Sequence, residues 1–250
     1  MIFRKSPRDI DKMRNAGKVV YEVLEEIEKF ICAGMSTFEV DTIAESKCRS
    51  LGATPSFKGL YGFPYSACIS VNEEVIHGIP NKNKILKDGD LVSVDFGACK
   101  NGFHGDSTRT YIIGGKSSKI GEELVKVTRE ALYAGIDQCI VGNRLGDVSY
   151  AIENHVVKNG FYVVREYVGH GIGKSVHEDP SVPNYGVKGT GVRLSEGMTL
   201  AIEPMINAGT AAIEILPDKW TVVTADGSLS VHFEHTVAIT KNGPEILTII

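Results

Sequence analysis

The second half of this 250-residue chain repeats the first half at a constant offset of 108 residues. Residues 88–96 align with residues 196–204, and each run places one acid, Asp95 or Glu203, inside an apolar strand-like sequence. The pairs Gly34/Gly142, Val40/Val148, Glu45/Glu153 and Gly52/Gly160 recur at the same spacing. A duplicated half that carries a carboxylate in the same strand twice predicts a pseudo-symmetric pair of acids. Such a pair suits two hard or borderline metal ions.

Composition limits the class of protein. Hydrophobic residues make up 42% and charged residues 23%, which is typical of one soluble domain with a substantial core. The net charge of -4, with no basic run, predicts no nucleic-acid or membrane partner. The five cysteines are widely spaced without a CxxC pair, which predicts a reduced cytoplasmic protein without disulfides or a thiolate zinc site. The sequence has no signal-peptide pattern and no apolar run of about 20 residues.

Helices are predicted in two similar pairs. Ser6-Pro7 is a plausible N-cap, and apolar residues then recur at three- and four-residue steps as far as Ile31. Ser36 and Glu39 have the spacing of a capping box that opens a second helix to about residue 51. In the second half, residues 119–140 and 145–158 repeat this pair of a long helix and a short helix.

Period-two patterns rich in β-branched residues follow each helix pair and predict strands. The candidates are residues 67–71, 91–96, 105–113, 162–164, 198–206, 220–224 and 231–240. Pro204 removes a ladder donor directly after Glu203, so we expect the strand to end or kink there. The pattern predicts an α+β fold of two αα-plus-antiparallel-sheet halves, about 1–116 and 117–250, with the helices covering one face of a shared sheet. Residues 1–250 should form a single domain.

Two acids stand out in the first half. Asp95 lies in an apolar run where an unpaired charge would be costly to bury, and Asp106 follows eleven residues later. A hairpin between their strands could bring the two carboxylates side by side. Two strand acids can equally cap loops or form salt bridges.

The second half adds a glycine-flanked histidine and two more acids. The glycines on both sides of His170 would let ligands approach the imidazole closely, although a lone histidine is more often structural than a metal ligand. The remaining candidates are His77, His177, Glu203 and Glu234.

Taken in order, Asp95, Asp106, His170, Glu203 and Glu234 resemble the five-ligand dinuclear metal site of the methionine aminopeptidases. The runs 72–80, 169–173, 202–205 and 233–236 are similar too, and the match spans nearly the whole chain. That family has the pita-bread (creatinase/aminopeptidase) fold, in agreement with the duplication. Aminopeptidase P and prolidase share the ligands but usually carry a large extra N-terminal domain. Without the type II helical insertion or a Cys/His zinc region, the sequence most resembles the bacterial type I enzymes.

This resemblance implies a single catalytic domain that hydrolyses the initiator methionine from nascent polypeptides with a small second residue, through a metal-bridging hydroxide. Asp106 and Glu234 would bridge two divalent ions, Asp95 would hold one, and His170 with Glu203 the other. One nitrogen and four carboxylate ligands suit Co, Mn or Fe. The resemblance also implies a cytoplasmic monomer whose partners are nascent N-termini, with ribosome association.

Further roles are carried by the same resemblance. His177 would stabilise the oxyanion, Glu203 would accept the proton of the attacking water, and His77 would contact the scissile amide. The predicted substrate pocket comprises Phe57, Leu60, Phe63, Cys68, Val176 and Trp220, together with His77 and His177. Carbonyls of Asn72, Glu74 and Ser230 would bind one monovalent cation.

The pocket departs from the commoner bacterial pattern, because Leu60 and Val176 stand where aromatic residues are frequent and Ile76 where a cysteine is. Judged without the motifs, Phe63, Cys68 and Trp220 would be assigned to core packing. The other histidines are interpreted as structural or surface residues: His104, His155, His232 and His235.

Two alternatives stay open, namely a proline-directed aminopeptidase or dipeptidase of the same fold and a non-catalytic pita-bread binding module. Such modules lose ligands, whereas this chain retains all five.

Overall fold

The computed structural model describes residues 1–249, in which the helices form two pairs, one in each half of the chain. They are α1 (Pro7–Phe30), α2 (Thr37–Ser50), α3 (Lys119–Ile136) and α4 (Leu145–Lys158). The helix predicted over 119–140 is therefore one turn too long. None of the helices within the described residues is both long and apolar enough to cross a membrane.

Short strands occupy much of the remaining chain. They are β1 (Thr54–Pro55), β2 (Cys68–Val71), β3 (Glu74–Ile76), β4 (Leu91–Lys100), β5 (Phe103–Ile112), β6 (Tyr162–Val163), β7 (Gly169–Gly171), β8 (Glu178–Val182), β9 (Thr199–Ile202), β10 (Met205–Asn207), β11 (Ile213–Ile215), β12 (Val222–Thr224), β13 (Ser230–His232), β14 (His235–Thr240) and β15 (Gly243–Ile246). Of the eight strands shorter than four residues in the described part of the chain, the sequence patterns missed β1, β3, β7 and β11, because so few residues give little periodic signal. The other four, β6, β10, β12 and β13, overlap predicted strands.

The backbone repeats at the offset seen in the sequence. α2 and α4, and likewise β1 and β6, begin 108 residues apart. Gly34 and Gly142 precede these helices with φ angles of 91° and 99°, and Gly89 and Gly197 precede β4 and β9 with 92° and 85°. Residues with a β-carbon rarely adopt such angles, so glycine is required at the same four turns. The predicted duplication is confirmed.

Local chemistry explains why the helices begin where they do. The Ser6 hydroxyl accepts from the Asp9 backbone N–H, and the Asp9 carboxylate accepts from the Ser6 N–H. Ser36 and Glu39 form the same reciprocal capping box at the start of α2. Each box satisfies N–H groups that the first helical turn would leave unpaired.

Each half has its own apolar core. α1 packs on β4 and β5, and α2 packs on α1, β1 and β2, around a first-half core that includes Val20, Leu24 and Phe96. α3 and α4 pack around a second core that includes Leu124 and Ile152. Full burial of one such side chain stabilises the fold by roughly 1.5–3 kcal/mol. Each half is therefore stabilised by its own buried apolar side chains.

The strands form four antiparallel sheets in the described residues, so the single shared sheet that we expected is interrupted. One contains β1, β4, β2 and β5, and a second has the order β15-β14-β9-β7-β8. The predicted strand 198–206 breaks at Glu203-Pro204, as expected, and its two parts join different sheets. The predicted strand 231–240 breaks likewise at Phe233-Glu234. Glu203 and Glu234 thus lie at strand ends, where their side chains face the space between the halves.

A candidate dinuclear metal centre

The first two acids lie on one face of the β4–β5 hairpin. Asp95 pairs with Thr108 and Asp106 pairs with Gly97, which places the carboxylates one diagonal step apart. Gly97 leaves the position opposite Asp106 free of a side chain, because a β-carbon there would stand 2.9 Å from the Phe57 ring. The hairpin therefore brings Asp95 and Asp106 side by side beside an aromatic wall.

The other three candidates converge from the second half. His170 in β7 pairs with Ala201 in β9, and His235 in β14 pairs with Ile202. Continuing this register places Glu203 opposite Glu234, on the face that also carries His170. One ligand atom each from Asp106, His170 and Glu234 lie within 4.8 Å of one another. The two halves thus face each other with carboxylates across the pseudo-dyad.

Three buried oxygen atoms in this cluster lack a hydrogen-bond partner in the described residues: Asp95 Oδ1, Asp106 Oδ1 and Glu234 Oε1. A buried carboxylate oxygen is costly to leave unpaired, and native structures rarely do so. Since all three belong to neighbouring acids, a cation would satisfy them together. The donor set is therefore suited to hard or borderline divalent ions.

His170 presents an unprotonated nitrogen to the same space. Its Nδ1 lies 2.9 Å from the carbonyl oxygen of Gly171. A carbonyl can only accept, so Nδ1 carries the proton and Nε2 keeps its lone pair. Nε2 lies 3.4 Å from Glu203 Oε1. Once Glu203 is ionised, two acceptors face each other there, and a metal ion between them would turn their repulsion into coordination.

The acids hold their protons unusually strongly without a cation. Burial raises the pKa of Asp95 to about 6. Burial, together with the neighbouring carboxylates, raises the pKa values of Asp106, Glu203 and Glu234 well above their usual range. Bound divalent ions would reverse this effect by favouring the ionised forms.

We expect divalent metal to raise the unfolding temperature more at pH 8 than at pH 5. A carboxyl group whose folded pKa is raised stabilises the fold below its unfolded pKa, about 4, and loses that contribution as pH rises through the folded pKa. For Asp95 that loss is complete near pH 6, and for the other acids it extends to higher pH. Metal binds the ionised ligands, so it acts most where the metal-free protein is weakest. Thermal scans with and without Mn²⁺ test this, and an equal shift at both pH values would contradict it.

Neighbouring hydroxyl and amide groups fix the ligands. The Thr236 hydroxyl accepts from the Asp106 N–H at 2.9 Å and donates to the Asp106 carbonyl at 2.8 Å. Thr108 donates to Glu234 Oε2 at 3.0 Å, and Asn184 donates to the Glu203 carbonyl at 2.9 Å. Sequence reading did not assign these residues. Thr108 and Thr236 lay close to predicted ligands, but Asn184 gave no signal.

An apolar cavity of about 350 Å³ opens onto the acids. Its lining contains all but one of the predicted pocket residues, including Phe57, Leu60, Phe63, Cys68, His77, His177 and Trp220. The exception is Val176, which is buried and packs in the same apolar cluster as Phe57 without lining the cavity. The rings of Phe63 and Trp220 meet edge to face at 5.1 Å.

Two further histidines face the cavity. Burial lowers the pKa of His77 to about 4 and lowers that of His177, so both are neutral at neutral pH. The centroid of the His177 ring lies 4.5 Å from the centroid of the His170 ring. The His177 ring also stacks on the exposed Tyr61 ring, with the two centroids 5.9 Å apart. Tyr167 meets His77 edge on at 5.5 Å. The two tyrosines were missed, because neither belongs to a motif.

The remaining histidines divide into two groups. His104 contacts Ser56, His155 contacts Glu130 and His235 contacts Thr248, as expected for structural or surface residues. His232 differs, because it is 2% exposed and its Nε2 lies 3.6 Å from Glu203 Oε2. Its position beside a candidate ligand was not foreseen.

The residues predicted to bind a monovalent cation lie together. The carbonyl of Asn72 accepts the backbone N–H of Ser230 at 2.8 Å, and the Glu74 carboxylate accepts the Val71 N–H and pairs with Lys84. These contacts leave the cation site a prediction.

Comparison with known proteins agrees with this geometry. Residues 11–241 match the profile of metallopeptidase family M24, and the chain belongs to that family. It is 54% identical to the methionine aminopeptidase of Clostridium perfringens, with both chains covered completely. It is 47% identical to that of Escherichia coli, covering 98% of this chain and 93% of the relative. Within family M24, the chain therefore belongs with the methionine aminopeptidases, which confirms the resemblance.

Solved structures agree. The crystal structure of methionine aminopeptidase from Thermotoga maritima superimposes with a TM-score of 0.98 at 50% identity, each chain being covered completely. Prolidase from Pyrococcus furiosus superimposes with a TM-score of 0.80 at 24% identity, and the match covers 99% of this chain and 65% of that chain. The second likeness concerns the fold alone. The predicted α+β pita-bread fold is confirmed.

Proposed function

We propose that this chain is a metal-dependent aminopeptidase that removes the initiator methionine from nascent polypeptides with a small second residue. The observation that carries the proposal is an apolar cavity ending at buried carboxylate oxygens that lack partners within residues 1–249. A thioether side chain fits the apolar part, where aromatic rings give favourable sulfur contacts. The relatives named as methionine aminopeptidases match over the full length, which favours this activity over the proline-directed alternative.

Five side chains would hold two divalent ions, with Co, Mn or Fe suited to the donor set. Asp95 and Asp106 from the first half and His170, Glu203 and Glu234 from the second half would hold them. When bound, the ions would lower the pKa of the attacking water and polarise the scissile carbonyl. The unpartnered oxygens of Asp95, Asp106 and Glu234 support this assignment.

The protein groups supply proton transfer and orientation. Glu203, ionised once divalent metal is bound, would accept the proton of the attacking water. His177 is neutral and lies beside His170, from where its N–H would donate to the carbonyl oxygen as charge develops. His77 would contact the scissile amide nitrogen and help to orient the peptide.

The substrate's second residue should control turnover. Walls near His77 and His177 should admit Gly, Ala, Ser, Thr, Val, Pro or Cys and reject Leu, Lys or Phe. We expect Met-Ala-Ser to be hydrolysed roughly tenfold or more faster than Met-Lys-Ser, because a pocket wall discriminates by about 1–3 kcal/mol. Measuring kcat/KM for both peptides with Mn²⁺ tests this, and similar values would contradict it.

Controls separate the competing functions. Preferred turnover of Ala-Pro-Ala over Met-Ala-Ser would favour the proline-directed enzyme. Failure to turn over either peptide with Mn²⁺, Co²⁺ or Fe²⁺ would favour a non-catalytic module. Loss of turnover with a chelator and recovery with added metal are expected for the proposed enzyme.

Cellular context completes the proposal. The substrates would be nascent N-termini in the cytoplasm, met by a monomer that associates with ribosomes. A monovalent cation at the carbonyls of Asn72, Glu74 and Ser230 would stiffen the loops beside His77.

A further inference from the structure

The Glu203 carboxylate lies between two imidazoles. Its Oε1 is 3.4 Å from His170 Nε2, and its Oε2 is 3.6 Å from His232 Nε2. His232 is 2% exposed, and its Nε2 has no hydrogen-bond partner in the described residues. A buried ring nitrogen aimed at one oxygen of a candidate metal ligand needs an explanation beyond packing, since an apolar side chain could fill the space.

The main chain of His232 is held from two sides. It ends β13, where it pairs with Met205 of β10, two residues after Glu203. Its N–H donates to the Ser93 hydroxyl at 3.3 Å, and its carbonyl accepts from the Thr110 hydroxyl at 2.7 Å. Both hydroxyls belong to the β4–β5 hairpin that carries the first two acids. The same hairpin therefore fixes His232 and part of the metal site.

The main chain of Glu203 is fixed as well. Asn184 donates to its carbonyl at 2.9 Å, so the carboxylate can reorient only through its own side-chain torsions. The two oxygens face different groups: Oε1 faces His170 and Oε2 faces His232. A donor at Oε2 would select which oxygen turns toward the metal.

We propose that His232 is a positioning residue for Glu203, whose Nε2–H donates to Oε2 and holds Oε1 toward the metal ion beside His170. The proposal rests on the metal site under Proposed function. The distance of 3.6 Å lies just beyond a hydrogen bond, and a small rotation of either side chain closes it. Such partners orient a ligand and strengthen its bond to the metal. His232 acts through Glu203 and is not assigned as a ligand.

A matched pair of variants tests this role. His232→Asn and His232→Gln both bury an amide, but only the longer Gln side chain reaches the position of Nε2. Co²⁺ would be titrated anaerobically into the metal-free proteins, with the visible spectrum reporting occupancy. We expect His232→Asn to weaken Co²⁺ binding by roughly 10–100-fold and His232→Gln to restore most of the loss. With Met-Ala-Ser, kcat should follow the same order and KM should change little.

Controls make the outcomes distinct. His155→Asn changes a histidine in α4 that contacts Glu130, and this variant should bind Co²⁺ like the unchanged protein. Equal Co²⁺ affinity in His232→Asn and the unchanged protein would overturn the positioning role. Loss of one equivalent of Co²⁺ in both His232 variants would overturn it too, because His232 would then be a ligand. If the unchanged protein binds no divalent ion, the proposed function itself fails and this inference fails with it.

Discussion

Replacing Asp106 by Asn should abolish nearly all peptide hydrolysis and weaken divalent metal binding, while the fold survives. Asp106 is the acid that shares a ligand cluster with both His170 and Glu234. An amide has the same shape but no charge, and its nitrogen cannot bind the metal. The loss of affinity should exceed the roughly 10–100-fold that removal of an outer-shell partner costs. Metal analysis and kcat/KM for Met-Ala-Ser measure both effects.

The fold of this variant should survive for a specific reason. Thr236 holds the Asp106 backbone through two hydrogen bonds that do not involve the carboxylate. Without metal, the change also removes one of several acids that repel each other, so the unfolding temperature at pH 8 should not fall. Asp137→Asn, at an exposed helix end, is the matched control and should retain full activity. Unchanged metal stoichiometry with full activity in Asp106→Asn would remove Asp106 from the site.

The sequence predicted those parts of the fold and site that depend on local pattern. The repeat that relates Asp95 to Glu203 predicts the same turn before each of their strands. Gly89 and Gly197 form this turn in both halves, each with a positive φ angle. Alternation along a hairpin was enough to place Asp95 and Asp106 on one face. Pro204 signalled the end of β9, because proline cannot donate to the ladder.

Parts that depend on pairing between distant strands could not be read from the sequence. His232 resembled any polar residue in the strand predicted over 231–240, and its proposed role emerges only because β13 pairs with β10 next to Glu203. Tyr61 lies in a loop, and its stacking on His177 joins two segments more than a hundred residues apart. Val176 has the polarity of a pocket residue, but its side chain packs behind the wall.

Replacing His177 by Ala should lower kcat by roughly a hundredfold or more and leave metal content and KM nearly unchanged. The imidazole lines the cavity beside His170 without joining the ligand cluster found in residues 1–249. Its N–H would meet the carbonyl oxygen only as charge develops, an interaction stronger in the transition state than in the ground state. Removing one such donor typically costs about 2.7–4 kcal/mol.

Kinetics and metal analysis of the same preparation decide the role of His177. A kcat that falls at constant KM identifies an interaction made in the transition state alone. His155→Ala, which removes an imidazole paired with Glu130, is the control and should leave kcat unchanged. If His177→Ala lost metal while kcat per bound metal stayed intact, His177 would be a ligand and the oxyanion assignment wrong. If neither quantity changed, His177 would serve only to pack against Tyr61 at the rim of the cavity.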